Sequence, residues 1–236
     1  MPGAYIIGVL FNMRTKIVIA ALISAISINV ASADNHDAGL NLGGTIGAGY
    51  VSEKYFRGQS SGGESLQANV SFNTSVESVG VYVDLTTTQS VDSTEIDTND
   101  ITAGLSLGLG DKIDLLLGVY NTDISTSGGT LEGFVGVQLS SLLNPSVTVY
   151  RNTNQELYTY EGGVCHTVEL GVFDLVLCGW LGSTELTTSV DSTYYGGRVA
   201  AVKSVGDIDF YANVAVDDNE DRDTETLWGA GIAVKF

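Results

Sequence analysis

Residues 228–236 read WGAGIAVKF, and this stretch decides how the rest of the sequence is interpreted. Apolar side chains stand at every second position from Trp228 to Phe236, and glycine, alanine or lysine stands between them. A period of two places such an apolar row on one face of a β-strand. The stretch therefore predicts a strand with one apolar face and one face of small or polar residues.

The same residues carry a second signal. Trp228, Ile232, Val234 and Phe236 form an apolar series that finishes on an aromatic side chain. This series resembles the C-terminal signal that the outer-membrane insertion machinery reads. The resemblance implies an outer-membrane strand, with that machinery, outer-membrane lipid and lipopolysaccharide as partners.

Alternation of period two recurs along the chain, for example in residues 66–73, 101–109 and 208–216. After residue 33, no stretch reaches the roughly 18 uncharged apolar residues that a membrane-spanning helix needs. Strands of membrane barrels alternate between a lipid-facing and a lumen-facing row. The pattern therefore predicts an all-β fold, an antiparallel transmembrane β-barrel.

The predicted connections alternate in length, as they do in outer-membrane barrels. Short ones are predicted near residues 77–78, 111–112, 142–145, 171–172 and 205–206, and long polar ones near 53–63, 87–100, 123–129, 152–156, 187–193 and 217–225. Counting the segments between them gives about twelve strands, with eight or ten longer strands as alternatives. We expect residues 40–50 to pair with 226–236, because an open edge in lipid leaves backbone groups without hydrogen bonds.

The N-terminal segment has the pattern of a secretory signal peptide. Arg14 and Lys16 precede an apolar run at residues 17–30, and Ala-Ser-Ala follows at 31–33. We expect a cleaved signal peptide at residues 1–33, with Met13 as an alternative start and an uncleaved membrane anchor as the alternative role. Residues 34–236 are then a single barrel in the outer membrane of a Gram-negative bacterium.

Composition excludes several function classes. The chain has 28 acidic against 10 basic residues and a formal net charge of −18, which excludes nucleic acid as a partner. Histidine occurs only at His36 and His166, and by alternation His166 faces lipid, so neither is placed as a general base. The sequence therefore predicts no enzyme, no catalytic residue, no metal and no cofactor.

The predicted first loop carries a short motif. Tyr55, Phe56, Arg57 and Gly58 follow a tyrosine-containing strand and precede a Gln-Ser stretch. The motif is similar to the aromatic-Arg-Gly-x-Ser-Gln motif of TorF-type porins, which are small outer-membrane proteins. The resemblance implies a barrel with a pore function. Arg57 either folds inward over the mouth of the barrel or caps its own loop, and the sequence supports both.

Charged residues on the polar face of the strands are candidates for the lumen. They are Asp84, Glu132, Glu161, Glu169, Asp174 and Asp209, with Arg198 as a countercharge. A mostly acidic interior attracts cations and repels anions. We expect a porin-like channel for passive diffusion of small solutes or cations. The alternative is a closed structural or surface-interaction barrel, whose acidic loops, such as 217–225, hold divalent cations or are simply solvated.

The two cysteines are predicted to face each other. If Gly171 and Val172 form a two-residue turn, Cys165 and Cys178 are direct cross-strand partners in a non-hydrogen-bonded pair, about 4.5 Å apart at Cα. That separation is within disulfide reach, and the bacterial envelope is oxidising. The sequence therefore predicts a Cys165–Cys178 disulfide, with two free thiols as the alternative.

Overall fold

The computed structural model describes residues 41–57, 59–91, 97–124, 128–187, 190–220 and 222–236. The predicted signal peptide at 1–33, the alternative start at Met13 and the segment 34–40 lie outside these residues. In the part of the chain that is described, no helix is long and apolar enough to cross a membrane.

Fourteen β-strands form within the described ranges. Their bounds are β1 Asn41–Val51, β2 Lys54–Phe56, β3 Gln59–Gly62, β4 Ser65–Val76, β5 Val79–Ser90, β6 Thr98–Gly108, β7 Ile113–Ile124, β8 Gly128–Leu139, β9 Ser146–Asn152, β10 Tyr158–Glu169, β11 Asp174–Thr187, β12 Val190–Val205, β13 Ile208–Asn219 and β14 Arg222–Lys235. Twelve of them, β1 and β4 to β14, close into one barrel in sequence order. The predicted all-β antiparallel barrel of about twelve strands is confirmed.

The barrel closes where it was expected to close. β1 pairs antiparallel with β14, with Ile46 opposite Val234 and Tyr50 opposite Ala230, and β1 pairs with β4 on its other edge. β2 and β3 form a separate two-stranded hairpin between β1 and β4. We call the end of the barrel at Val51 and Ser65 the hairpin end, and the end at Gly171 the turn end.

Alternation gives the wall two different faces. On β8, Leu131 and Val135 are 41% and 45% exposed, whereas Glu132 between them is 6% exposed. The outer face is therefore apolar, and the inner face holds the buried polar side chains, as expected for a barrel in lipid. Aromatic pairs mark both ends of the outer face. Tyr50 packs on Trp228 at the hairpin end (ring centroids 5.0 Å apart), and Phe72 packs on Phe236 at the turn end (5.9 Å).

The strands run further toward the hairpin end than the sequence indicates. Residues 187–193 and 217–225 were predicted as long loops, but Glu185 pairs with Asp191 and Asp217 pairs with Glu225 in the ladders. Backbone hydrogen bonds continue beyond the apolar band, because a ladder does not require apolar side chains. The sequence shows only the part of each strand that has an apolar row.

Glycine lies opposite large rings on the inner face. A Cβ added to each of five glycines would overlap the ring of its direct cross-strand partner. The pairs are Gly104–Tyr82, Gly118–Phe134, Gly182–Tyr194, Gly196–Trp180 and Gly231–Tyr211. Glycine is required at these positions because the partner ring occupies the volume that a Cβ would fill.

Candidate functional site

The predicted lumen residues share one face of the wall. The register runs from Asp84 through Thr102 and Tyr120 to Glu132, so these side chains point the same way as the buried Glu132. Cross-strand partners have their side chains on the same face, and strand neighbours alternate between the faces. Following the partners through the remaining ladders places five more charged residues on the inner face, namely Glu161, Glu169, Asp174, Arg198 and Asp209. The inner face, together with the hairpin that reaches it, is the candidate functional site.

The β2–β3 hairpin brings two cations of the first loop against this face. Lys54 lies at its base opposite Gly62, and Arg57 lies at its tip, directly after β2. Arg57 has a φ of 52°, a left-handed conformation that is uncommon for a residue with a side chain. Such a conformation persists when surrounding contacts hold it. Of the two roles that the sequence left open for Arg57, the structure has the inward one.

Arg57 reaches across to the barrel wall. Its Nη1 and Nη2 donate to Oε1 and Oε2 of Glu132 at 2.9 and 2.7 Å, and Nη1 also lies 3.5 Å from Oγ1 of Thr159. The guanidinium carbon lies 4.3 Å from the ring centroid of Tyr150 and 5.8 Å from that of Tyr120. The Arg57 and Glu132 side chains are only 9% and 8% exposed.

The charge on Arg57 is retained in this setting. Burial alone lowers the pKa of the guanidinium, but the hydrogen bonds and negative charge of Glu132 outweigh it and raise that pKa above its usual value. A planar fork matched to a carboxylate in this bidentate way is a strong, charge-assisted interaction.

Lys54 makes a second contact with the wall on a neighbouring part of the inner face. Its Nζ lies 3.0 Å from Oδ2 of Asp100 and also donates to Oγ1 of Thr98. The Tyr120 hydroxyl donates to Oδ1 of Asp100 at 3.1 Å, so Tyr120 lies between the Lys54 contact and the Arg57 contact. The two ion pairs attach the hairpin to β6 and β8.

The other inner-face charges have different surroundings. The Tyr194 hydroxyl donates to Oε2 of Glu161 at 2.8 Å, and Lys235 forms an ion pair with Asp209 at 2.8 Å near the turn end. Among the described side chains, no carboxylate lies within 4.0 Å of the Arg198 guanidinium. Arg198 instead lines a cavity of about 460 Å³ with Gln138 and Trp180, among other residues.

Cys165 and Cys178 form a disulfide at the inner face. They are direct cross-strand partners with their Cα atoms 4.2 Å apart. The turn that fixes this register is the predicted one, because Leu170 N donates to Phe173 O at 3.1 Å and Gly171 has a φ of 77°, which glycine adopts readily. The predicted disulfide is present.

The remaining predicted residues divide between described and undescribed positions. Tyr55 and Phe56 form the end of β2, and Gly58 lies outside the described residues. Ile232 and Val234 are 40% and 43% exposed on the outer face, in the same row as Trp228. His166 Nδ1 lies 2.7 Å from Leu142 O. Over the described ranges, no three His, Cys, Asp or Glu side chains converge to hold a metal ion.

Sequence reasoning did not single out several residues of this site, namely Lys54, Thr98, Asp100, Tyr120, Tyr150, Thr159 and Tyr194. The inner-face positions of Tyr120 and Asp100 could have been predicted from alternation, because their neighbours Val119 and Ile101 belong to the apolar row. The position of Lys54 could not be predicted, since a loop has no periodic pattern that indicates which part of the barrel it contacts.

Comparison with known proteins gives a fold but no family. No protein-family model and no curated protein matches the chain. Among solved structures, the chain is similar to the KdgM porin, with 11% identity and a TM-score of 0.56, covering 81% of this chain and 99% of that one. It is also similar to the NanC porin, with 12% identity and a TM-score of 0.54, covering 82% and 100%.

A third similar structure is an outer-membrane channel from Pseudomonas putida F1, with 12% identity and a TM-score of 0.56, covering 86% of this chain and 98% of that one. The chain shares the closed antiparallel β-barrel fold of these three outer-membrane proteins. Identities this low show the shared fold alone, so the function has to be argued from this chain's own residues.

Proposed function

We propose that the protein is an outer-membrane channel of the porin type, through which small solutes diffuse passively with a preference for cations. The observation that carries the proposal is the surplus of acid on the inner face of a closed barrel. Among the described side chains, Asp84, Glu161, Glu169 and Asp174 have no Lys, Arg or His within 4.0 Å.

Water in the lumen explains how the barrel tolerates this surplus. A carboxylate without a countercharge is costly in a dry interior, whereas a hydrated lumen solvates it. Glu169 and Arg198 are exposed although they lie on the inner face, and Asp84, Glu161 and Asp174 are half-buried. A hydrated, negatively charged interior concentrates cations and repels anions.

The finer parts of the proposal have separate support. Membership among the TorF-type porins is supported by the first-loop motif, whose Arg57 makes the contact with Glu132. Location in a Gram-negative outer membrane is supported by the apolar outer face with aromatic pairs at both ends. Export requires a leader such as the one proposed at residues 1–33. Passive diffusion requires no catalytic residue, and we propose none.

A closed barrel with a structural or surface-binding role is the second candidate. The observation that favours it is the attachment of the hairpin to two inner-face carboxylates, Glu132 and Asp100. These contacts place a loop across part of the hairpin end. The two candidates differ in one measurable property, which is whether ions cross the folded barrel.

Reconstitution in a planar bilayer under a KCl gradient tests the proposal. We expect discrete conductance steps and a reversal potential of the cation-selective sign, with the selectivity reduced by Glu161→Gln. The matched control is Glu156→Gln, because Glu156 is an exposed loop carboxylate and its removal leaves the lumen charge unchanged. Folded protein is identified by a mobility shift between unheated and boiled samples. Folded protein without any steps would establish the closed barrel, and anion selectivity would contradict the acidic lumen.

A further inference from the structure

Part of the barrel wall has the geometry of a receptor for a guanidinium group. Glu132 accepts two hydrogen bonds from Arg57, the guanidinium carbon lies 4.3 Å from the centroid of the Tyr150 ring, and Thr159 Oγ1 lies 3.5 Å from Nη1. All three of these groups belong to barrel strands β8, β9 and β10. The wall therefore supplies the pocket, and the hairpin supplies only its occupant.

A second pocket beside it suits an ammonium group. Asp100 and Thr98 on β6 contact Lys54 Nζ, and the hydroxyl of Tyr120 on β7 orients the Asp100 carboxylate. An ammonium is a compact donor of three hydrogen bonds, which this set of oxygen acceptors matches. Tyr120 joins the two pockets, because its hydroxyl donates to Asp100 and its ring centroid lies 5.8 Å from the guanidinium carbon of Arg57.

We infer that these two pockets are binding sites for organic cations from solution, and that Arg57 and Lys54 are tethered occupants that such solutes displace. The ligand class is solutes with a guanidinium group, and a second ammonium group on the same short chain increases the affinity. The inference rests on the proposed channel function in one respect, since a channel brings such solutes to the inner face.

The chemistry of the pockets selects this class over simple cations. A bidentate fork and an aromatic face recognise a planar delocalised cation, which a potassium ion is not. β6 and β8 are two strand spacings apart, about 10 Å, so one flexible solute with both groups can reach both pockets. A guanidino-amine therefore binds more tightly than a monovalent guanidinium.

Because Arg57 is part of the same chain as its pocket, the binding test has to remove it. An occupant on the same chain has a high effective concentration, so a free solute competes poorly with Arg57. Removing the side chain with Arg57→Ala vacates the guanidinium pocket and leaves Glu132, Tyr150 and Thr159 in the wall. The probe is agmatine, which carries one guanidinium and one ammonium group on a four-carbon chain.

The experiment is a calorimetric titration of agmatine into the full-length folded protein in detergent. We expect the Arg57→Ala variant to bind at least about tenfold more tightly than the unmodified chain, because the tethered competitor is gone. Adding Glu132→Gln to that variant should weaken binding by about tenfold or more, since a hydrogen bond to a charged group is lost. 1,4-Diaminobutane, which lacks the guanidinium, should bind the Arg57→Ala variant more weakly than agmatine.

The matched control is Lys235→Ala, which removes the cation of an inner-face ion pair that has no cation–π contact among the described residues. This variant should bind agmatine no better than the unmodified chain. Equal agmatine affinity for the unmodified chain, Arg57→Ala and the double variant, all shown to be folded by heat-dependent mobility, would overturn the inference. The titration needs no ion flow. A conducting barrel without agmatine binding overturns this inference alone, and agmatine binding by a non-conducting barrel overturns only the channel.

Discussion

Two ion pairs on the inner face differ mainly in burial. At the hairpin end, the Arg57 and Glu132 side chains are 9% and 8% exposed, and two aromatic rings flank the guanidinium. Toward the turn end, the Lys235 and Asp209 side chains are 52% and 15% exposed. The separations are nearly the same, 2.7 and 2.8 Å.

Equal distances do not mean equal energies. Removing one partner of a buried pair leaves a charge without water or a counterion, which costs about 3–5 kcal/mol. An exposed pair contributes about 0–1 kcal/mol, because water replaces whichever partner is lost. The Arg57–Glu132 pair at the hairpin end is therefore screened little by water, whereas the Lys235–Asp209 pair toward the turn end is solvated.

The largest expected effect is that of Glu132→Gln on the docking of the hairpin. Arg57 then loses the carboxylate that pairs with its buried charge, and we expect docking to weaken by about 3–5 kcal/mol. Trypsin reports this, because it cleaves after Lys54 and Arg57 only when the hairpin leaves the wall. Where opening is fast relative to cleavage, the rate should rise about 100-fold or more.

The control for this variant is Glu156→Gln, in which Arg151 loses the partner of an exposed pair. Cleavage at Arg57 should then proceed as in the unmodified protein. Protection of Arg57 in the Glu132→Gln variant equal to that of the unmodified chain would show that other contacts dock the hairpin.

A smaller effect is expected from Tyr150→Leu. The guanidinium keeps its hydrogen bonds to Glu132 but loses the ring 4.3 Å away, and a desolvated cation–π contact contributes about 2 kcal/mol. We expect trypsin cleavage after Arg57 to rise by about ten- to thirtyfold. Tyr160→Leu is the control, since Tyr160 packs on Tyr158 and is 49% exposed on the outer face. Equal cleavage rates in the two variants would contradict a contribution of the ring.

The smallest effect is expected at the turn end, from Lys235→Ala. Asp209 keeps the hydrogen bond from Ser204 at 2.6 Å and gains water, so the stability of the barrel should change by at most about 1 kcal/mol. The midpoint of urea unfolding in detergent measures this. A loss comparable to that of a buried pair would show that the turn end is drier than its exposed fraction indicates.

The fold was predictable because the barrel repeats one rule. Alternation in stretches such as 208–216 marks which side chains face lipid, and the two-residue turn at Gly171 fixes a register from which the Cys165–Cys178 pair follows. Each of these inferences uses residues close in sequence. The strand count follows from the segments between the predicted connections, and closure follows because every strand in lipid must pair on both edges.

The hairpin was not predictable in the same way. Arg57 lies 75 residues from Glu132 along the chain, and no period or spacing connects a loop tip to a position on the wall. The sequence left an inward and a local role for Arg57 equally open. The partner was visible as an inner-face carboxylate, but the pairing depends on how the whole barrel brings the first loop over β8.

The glycines opposite inner-face rings have a consequence for the calibre of the barrel. Because Gly182 has no Cβ, the Tyr194 ring lies against the backbone of the neighbouring strand instead of projecting toward the axis. At each such pair, a larger residue in place of the glycine would push the ring away from the wall and toward the barrel axis. A change that keeps the internal width of the barrel should therefore replace the ring and its glycine together. A variant with only one of the two changes should have an altered cross-section while its charge stays the same.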